Sequence, residues 1–236
     1  IIAVDPTSPF TGGAILGDRV RMADLNADPG VFIRSMGTRG ALGGLSKAVH
    51  GAVKVLDIFG MDYIFIETVG VGQSEVDIVK LADTVIMVMV PGLGDDIQAI
   101  KAGIMEIGDI FAVNKSDRDG ADRTAIEIEA MLDLNRNEGY RPPVLNIIAR
   151  DNVGIEELLS LIEKHWEYEN KSGSYKQKKF KRLKTEVMDI FRESVMRTLY
   201  SMSKESNIID ELVYKVIDRQ MDPYSAAERL MDELTK

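Results

Sequence analysis

The sequence predicts an α/β protein: a parallel sheet with helices on both faces, followed by a helical extension. Three observations carry this. Short runs rich in Val, Ile and Phe recur through the first 169 residues, the pattern of strands buried on both faces of a parallel sheet. Segments with helical apolar spacing separate those runs, as βαβ units require. After Glu169 the strand-like runs stop and one long helical stripe takes over.

In order, strands are expected at 1–4, 31–35, 63–68, 84–90, 110–114 and 144–149. Helices are expected between them at 42–59, 74–81, 96–107, 123–135 and 155–168, with a further short helix over 18–27 closed by Asp28-Pro29-Gly30. Seven basic residues and no acidic one then fall between Lys171 and Lys184. Phe180, Leu183, Val187, Phe191, Val195, Leu199 and Met202 form the long stripe, and such a stripe requires a surface to bury against. Two more helices are predicted at 210–219 and 224–234, parted by Met221-Asp222-Pro223. The division expected is an α/β domain over 1–169 and a helical extension over 170–236.

Composition excludes several functions. The chain has 236 residues, enough to bury a sizeable core, and a formal charge of −9, which argues against a general nucleic-acid or anionic-membrane binder. No cysteine is present, so disulfides, thiolate metal sites and a cysteine nucleophile are excluded. The longest wholly apolar stretch, 85–90, is far short of a membrane span. The chain starts inside an apolar run without a basic leader, so Ile1 does not open a signal peptide, and a lost beginning is expected.

Chemistry is expected at the carboxyl ends of the strands, where ligands sit in open α/β sheets. After the fifth run comes Asn114-Lys115-Ser116-Asp117, an N-K-x-D tetrad. An Asp here can accept from guanine N1–H and the exocyclic amine together, which adenine cannot offer, while Asn and Lys brace the neighbouring loops. A plain polar turn is the competing reading. Asp5 ends the first run, and Asp18 closes the glycine-rich stretch at 11–17. With Glu67 these acids suit a hard octahedral cation such as Mg²⁺, although Asp5 and Asp18 equally suit capping roles.

Glu67 is followed three residues later by Gly70, the spacing with which nucleotide switches sense a γ-phosphate. Gln73 then orients a water, signals to a partner, or is simply solvated. Gln98 and Lys101 stand i, i+3 at the start of a helix and face one site, as a second switch or as solvated positions. His50 and His165 sit in separate helical patterns without a carboxylate or histidine partner at ligand spacing, and both read as structural. Trp166 is expected to pack at the domain junction. The basic run after Lys171 reads as a solvated face, with an acidic partner as the alternative.

The stretches AVDPTSPFTGGAILGDRVRM, RGALGG, IFIETVGVGQSEVDI, GDDIQAIKAGIMEI and AVNKSD, in this order and spacing, closely resemble the MeaB / ArgK family. Its eukaryotic member is the methylmalonic aciduria type A protein. The resemblance implies a P-loop NTPase-like fold and a GTPase that binds GTP or GDP with Mg²⁺. It implies a chaperone of an adenosylcobalamin-dependent acyl-CoA mutase of the methylmalonyl-CoA mutase type, gating cofactor loading and protecting the mutase. By position it implies Asp5, Asp18 and Glu67 as magnesium-site acids and Glu67, Gly70 and Gln73 as the hydrolytic switch. Asn114, Lys115, Ser116, Asp117 and Ala149 are implied as nucleotide-binding residues, and Gln98 and Lys101 as a switch toward the mutase. A homodimer through the C-terminal helices and a cytoplasmic setting complete the expectation, with no nucleic-acid or membrane partner.

The sequence departs from this family in two places. No G-x-x-x-x-G-K-[ST] loop occurs, and Gly43-Gly44-Leu45-Ser46-Lys47 has its composition but not its spacing. The expectation is an N-terminally truncated GTPase whose phosphate cradle lies upstream of Ile1, so that the chain as given binds GTP weakly or not at all and does not hydrolyse it. The Ser-Ala of the last base-binding loop is replaced by Ile148-Ala149-Arg150. A non-enzymatic mutase-binding module is one alternative. A nickel-enzyme maturation GTPase is the weaker one, because its Cys/His clusters are absent. The family's older kinase label finds no phosphoacceptor site in these residues.

Overall fold

The computed structural model describes residues 1–5, 22–37, 47–68, 78–92, 106–134 and 139–234. Six strands are found among them: β1 (Ile2–Asp5), β2 (Arg34–Gly37), β3 (Ile66–Thr68), β4 (Ile86–Met89), β5 (Ile110–Val113) and β6 (Val144–Asn146). They form two parallel trios, in the order β2-β1-β3 and β4-β5-β6. The registers pair Ile2 with Arg34 and Ile66 in the first trio, and Phe111 with Met87 and Val144 in the second.

All four residues of β5 are fully buried, which explains a run with no polar side chain. Helix α1 (Lys47–Phe59) packs Val49 and Leu56 against Ile2 and Val4 of β1. Helix α2 (Ala121–Leu134) packs Ala121, Ile128 and Leu132 against Phe111 and Val113. Met87 of β4 packs against both clusters, so the two trios share a core. Parallel sheet covered by helices is the fold class read from the sequence.

The strand bounds differ from expectation for reasons of pairing. Val31 to Ile33 are apolar, but Val31 N–H closes a turn on the Asp28 carbonyl at 3.1 Å and the ladder starts only at Arg34. At the far end Ile147 and Ile148 continue the apolar run after β6 has ended, and Ile148 instead bridges Val153. A 3-10 turn over Ala149–Asp151 follows. Another 3-10 turn, Ala23–Ala27, occupies part of the short helix expected over 18–27. Half of the helix predicted at 74–81 and most of the one at 96–107 lie outside the described residues.

Two glycines are dictated by close approach. A Cβ on Gly108 would lie 2.6 Å from Phe111 Cζ and 2.7 Å from Met87 Cγ, so no side chain fits where the chain enters β5. Gly154 precedes helix α3 (Ile155–Ser172) with φ +77°, and its Cβ would lie 3.0 Å from the Asn146 carbonyl oxygen.

The amino ends of β4 and β5 converge on α3 through a buried histidine. His165 is fully buried, and its Nδ1 shares a 2.8 Å hydrogen bond with Thr84 Oγ1. Its Nε2 lies 3.4 Å from Asp109 Oδ1 and 3.7 Å from Glu169 Oε1, one helical turn on. The sequence reading that His165 lacks a carboxylate partner is therefore corrected, while its structural character stands. Glu169 is the i+4 neighbour, and Asp109 reaches it only through the fold. The Tyr140 ring sits 4.7 Å from the imidazole. Burial, reinforced by the charge of Asp109, pushes the Tyr140 phenol up to about 12. Trp166 meets Tyr175 edge-on at 4.8 Å.

The chain divides into two compact units, Ile1–Tyr175 and Lys176–Lys236. Helix α4 (Ser174–Ser206) starts directly after Gly173, whose left-handed φ of +76° ends α3. Helices α5 (Ile208–Ile217) and α6 (Pro223–Leu234) follow, and Asp222 caps α6 by accepting from Tyr224 and Ser225 N–H at 2.9 and 3.1 Å. Among the described residues no helix is long and apolar enough to cross a membrane.

Candidate functional site

The best-described site lies beyond the carboxyl end of β5. Asn114 leaves the strand with its own N–H on the Met89 carbonyl at 2.8 Å, continuing the pairing by one step. Lys115 then takes a left-handed φ of +59°, a conformation that costs a non-glycine residue about 1–2 kcal/mol. Asn114 Oδ1 offsets this by accepting the Lys115 N–H at 2.8 Å. The same oxygen accepts the Ala149 N–H at 3.1 Å, so one side-chain amide holds two loops together. Ser116 adds a second tie, with its N–H and its Oγ both donating to the Ile147 carbonyl at 3.1 and 3.0 Å. Strain held by local bonds at a strand end is the kind stored at functional sites.

Asp117 is the next residue, exposed, on a depression that Ser116, Arg118, Asp119, Gly120 and Asp122 also line. Asn146 Nδ2 donates to Asp122 Oδ1 at 3.0 Å and joins the end of β6 to the start of α2. Arg150 stands beside Asp117. It donates to both carboxylate oxygens of Asp151, at 2.9 and 2.8 Å, and stands 3.7 Å from Asp117 Oδ2. The hydrogen bond and charge of Asp151, then the charge of Asp117, raise the Arg150 guanidinium above its ordinary value. The same hydrogen bond lowers the Asp151 carboxyl. Sequence reasoning named Arg150 only as a departure in the last base-binding loop and missed Asp151. Their adjacency shows in the sequence, but nothing in the spacing points to Asp117.

Of the other residues singled out, Asp5 closes β1 and Glu67 lies exposed in β3. The register pairs Glu67 with Ala3, so the two acids stand near the carboxyl ends of adjacent parallel strands. Carboxylate oxygens at such strand ends are the kind of donor a hard cation would take. Asp18, Gly70, Gln73, Gln98 and Lys101 lie outside the described residues. Among the described residues no group of three acids or histidines is gathered as for a metal ion.

The family described as methylmalonyl Co-A mutase-associated GTPase MeaB matches residues 1–204. The chain belongs to that family. A Pyrococcus abyssi protein named as a candidate GTPase is 52% identical to this MeaB-family chain over 238 residues, covering 99% of it and 73% of the relative. The mitochondrial methylmalonic aciduria type A homolog of Mus musculus is 34% identical over 236 residues, covering 98% of the chain and 57% of the mouse protein. Among solved structures, an LAO/AO transport system kinase superposes on the whole chain and on 72% of its own length, with a TM-score of 0.67 at 22% identity. That likeness shows the fold, a parallel sheet with helices as expected from sequence. Membership in a GTPase family brings guanine-nucleotide binding with it, and ties this MeaB-family chain to methylmalonyl-CoA mutase.

Proposed function

We propose that the protein is a GTP-binding and GTP-hydrolysing chaperone of an adenosylcobalamin-dependent acyl-CoA mutase, gating cofactor loading and protecting the enzyme. The observation that carries this is the laced tetrad: Asn114 and Ser116 hold two loops together and leave Asp117 exposed beside them. A carboxylate so placed matches the paired N1–H and 2-amino donors of guanine. Lys115 and Ala149 complete the base site. Asp5, Asp18 and Glu67 would hold Mg²⁺, which neutralises phosphate charge during an in-line displacement. Gly70 and Gln73 follow Glu67 as the hydrolytic switch, and Gln98 and Lys101 form the switch toward the mutase. The division is a G domain over 1–169 and a C-terminal extension over 170–236, and the setting is cytoplasmic.

The full-length protein is expected to release phosphate from GTP but not from ATP, and to co-elute with its mutase in a nucleotide-dependent way. Malachite-green phosphate assay and size-exclusion chromatography read the two halves. Equal turnover of ATP, or none of GTP, sinks the enzymatic reading, and co-elution that ignores nucleotide leaves only the binding-module reading.

The extension is read as a homodimer element. Phe180, Leu183, Val187 and Phe191 on α4 are all exposed, a row of large apolar side chains along one side of the helix. A second copy of the helix is the occupant proposed for it. Sedimentation velocity at micromolar concentration is expected to show a dimer that Phe191→Glu converts to monomer. A wild-type monomer overturns the assignment.

A further inference from the structure

The Asp117–Arg150–Asp151 triad is not accounted for by folding alone. All three groups are well exposed, and exposed ion pairs contribute little to stability. The two loops it spans are already joined by Asn114 and Ser116. What the triad does fix is orientation. A guanidinium is a rigid planar fork, and Asp151 grips it on two points, through Nε and one terminal nitrogen. That terminal nitrogen carries a second hydrogen, and it is the atom 3.7 Å from Asp117 Oδ2. The distance is long for a hydrogen bond and ordinary for an ion pair. Arg150 is thus a positioned cation facing one oxygen of the carboxylate proposed to read the base.

We infer that Arg150 is a positioning residue for Asp117, making the site selective for the 2-amino group of guanine. The inference rests on the base-reading role proposed for Asp117. Two-point acceptance needs both carboxylate oxygens in the plane of the base, so the carboxylate must be held at one rotation. A carboxylate free to turn still accepts N1–H with one oxygen and loses mainly the second contact. Hypoxanthine offers N1–H and no 2-amino group, so it separates the two contacts.

The test titrates full-length protein with GDP and with inosine diphosphate, at fixed salt. Arg150→Ala is expected to weaken GDP about fivefold and inosine diphosphate less than about twofold, narrowing the ratio between them. Arg150→Lys keeps the charge without the fork and is expected to leave the ratio narrowed. Adding Arg150→Ala to Asp117→Asn is expected to produce no further loss, since the residue it positions is gone. An equal loss for both nucleotides overturns the inference, because a merely structural role would weaken both alike. So does an unchanged GDP affinity in Arg150→Ala where Asp117→Asn alone weakens it, and then the base-reading role survives. If Asp117→Asn itself leaves guanine affinity intact, both the inference and its foundation fall.

Discussion

Asp117→Asn is expected to weaken guanine-nucleotide binding by at least about a hundredfold and to shift preference toward xanthine nucleotides. Guanine presents two donors, N1–H and the 2-amino group, and an ionised carboxylate accepts both. Each hydrogen bond to a charged group contributes about 1.5–3 kcal/mol, so the pair accounts for roughly 3–6 kcal/mol. Asparagine keeps one acceptor and replaces the other with an amine, which then opposes the 2-amino group. Two donors face to face are worse than a lost bond, because neither can be satisfied in the bound state. Xanthine has a carbonyl at that position and accepts from the new amine. The loss should not come through unfolding, since Asp117 is exposed and surface substitutions usually stay within about 0.5 kcal/mol. Equilibrium titration with guanine and xanthine diphosphates, beside a thermal melt, reads both parts. An unchanged preference for guanine would remove the base-reading assignment and with it the geometric support for the proposed activity.

The fold was legible because parallel strands buried on both faces need unbroken apolar runs, and helices announce themselves by a different period. Every strand found overlaps a run that composition picks out. The ladder ends were not legible, because apolarity marks burial rather than pairing. Val31 to Ile33 are as apolar as any strand here, but the ladder with β1 is counted only from Arg34. The tetrad was legible for a local reason: Asn114 to Asp117 are contiguous, and a carboxylate three residues after an Asn at a strand end is a spacing one can read. The other half of the site comes from a loop some thirty residues away, where Ala149 and Arg150 carry no periodic signal. Only the pairing of β5 with β6 sets that loop beside the tetrad. His165 illustrates the same limit. Its helical neighbour Glu169 was within reach of spacing, whereas Thr84 and Asp109 meet it only because β4 and β5 start side by side.

That histidine carries the largest expected stability effect. His165→Ala is expected to destabilise the protein by about 3 kcal/mol or more, through a packing term and a smaller polar one. The first is packing: the ring is fully buried against Tyr140, and truncating a large buried ring to alanine typically costs about 3–5 kcal/mol. The second is polar: the imidazole bonds Thr84 at 2.8 Å and sets its other nitrogen near Asp109 and Glu169, and Glu169 is itself buried. Removing the ring takes away the partner of the Thr84 hydroxyl and leaves polar groups beside a void, a change that costs about 1–3 kcal/mol. The terms overlap, so the sum is not expected. Thr84→Ala removes only the shared hydrogen bond and should cost about 1 kcal/mol. Urea denaturation followed by circular dichroism measures both variants, and a loss below about 1 kcal/mol for His165→Ala would show that the cluster does not hold α3 to the sheet. Guanine affinity of the folded variant separates anchoring from chemistry. His165 sits at the amino ends of β4 and β5, and Asp117 lies beyond their carboxyl ends. Affinity should therefore hold while stability falls, and a parallel loss of both would mean that strain at one end of the sheet is transmitted to the other.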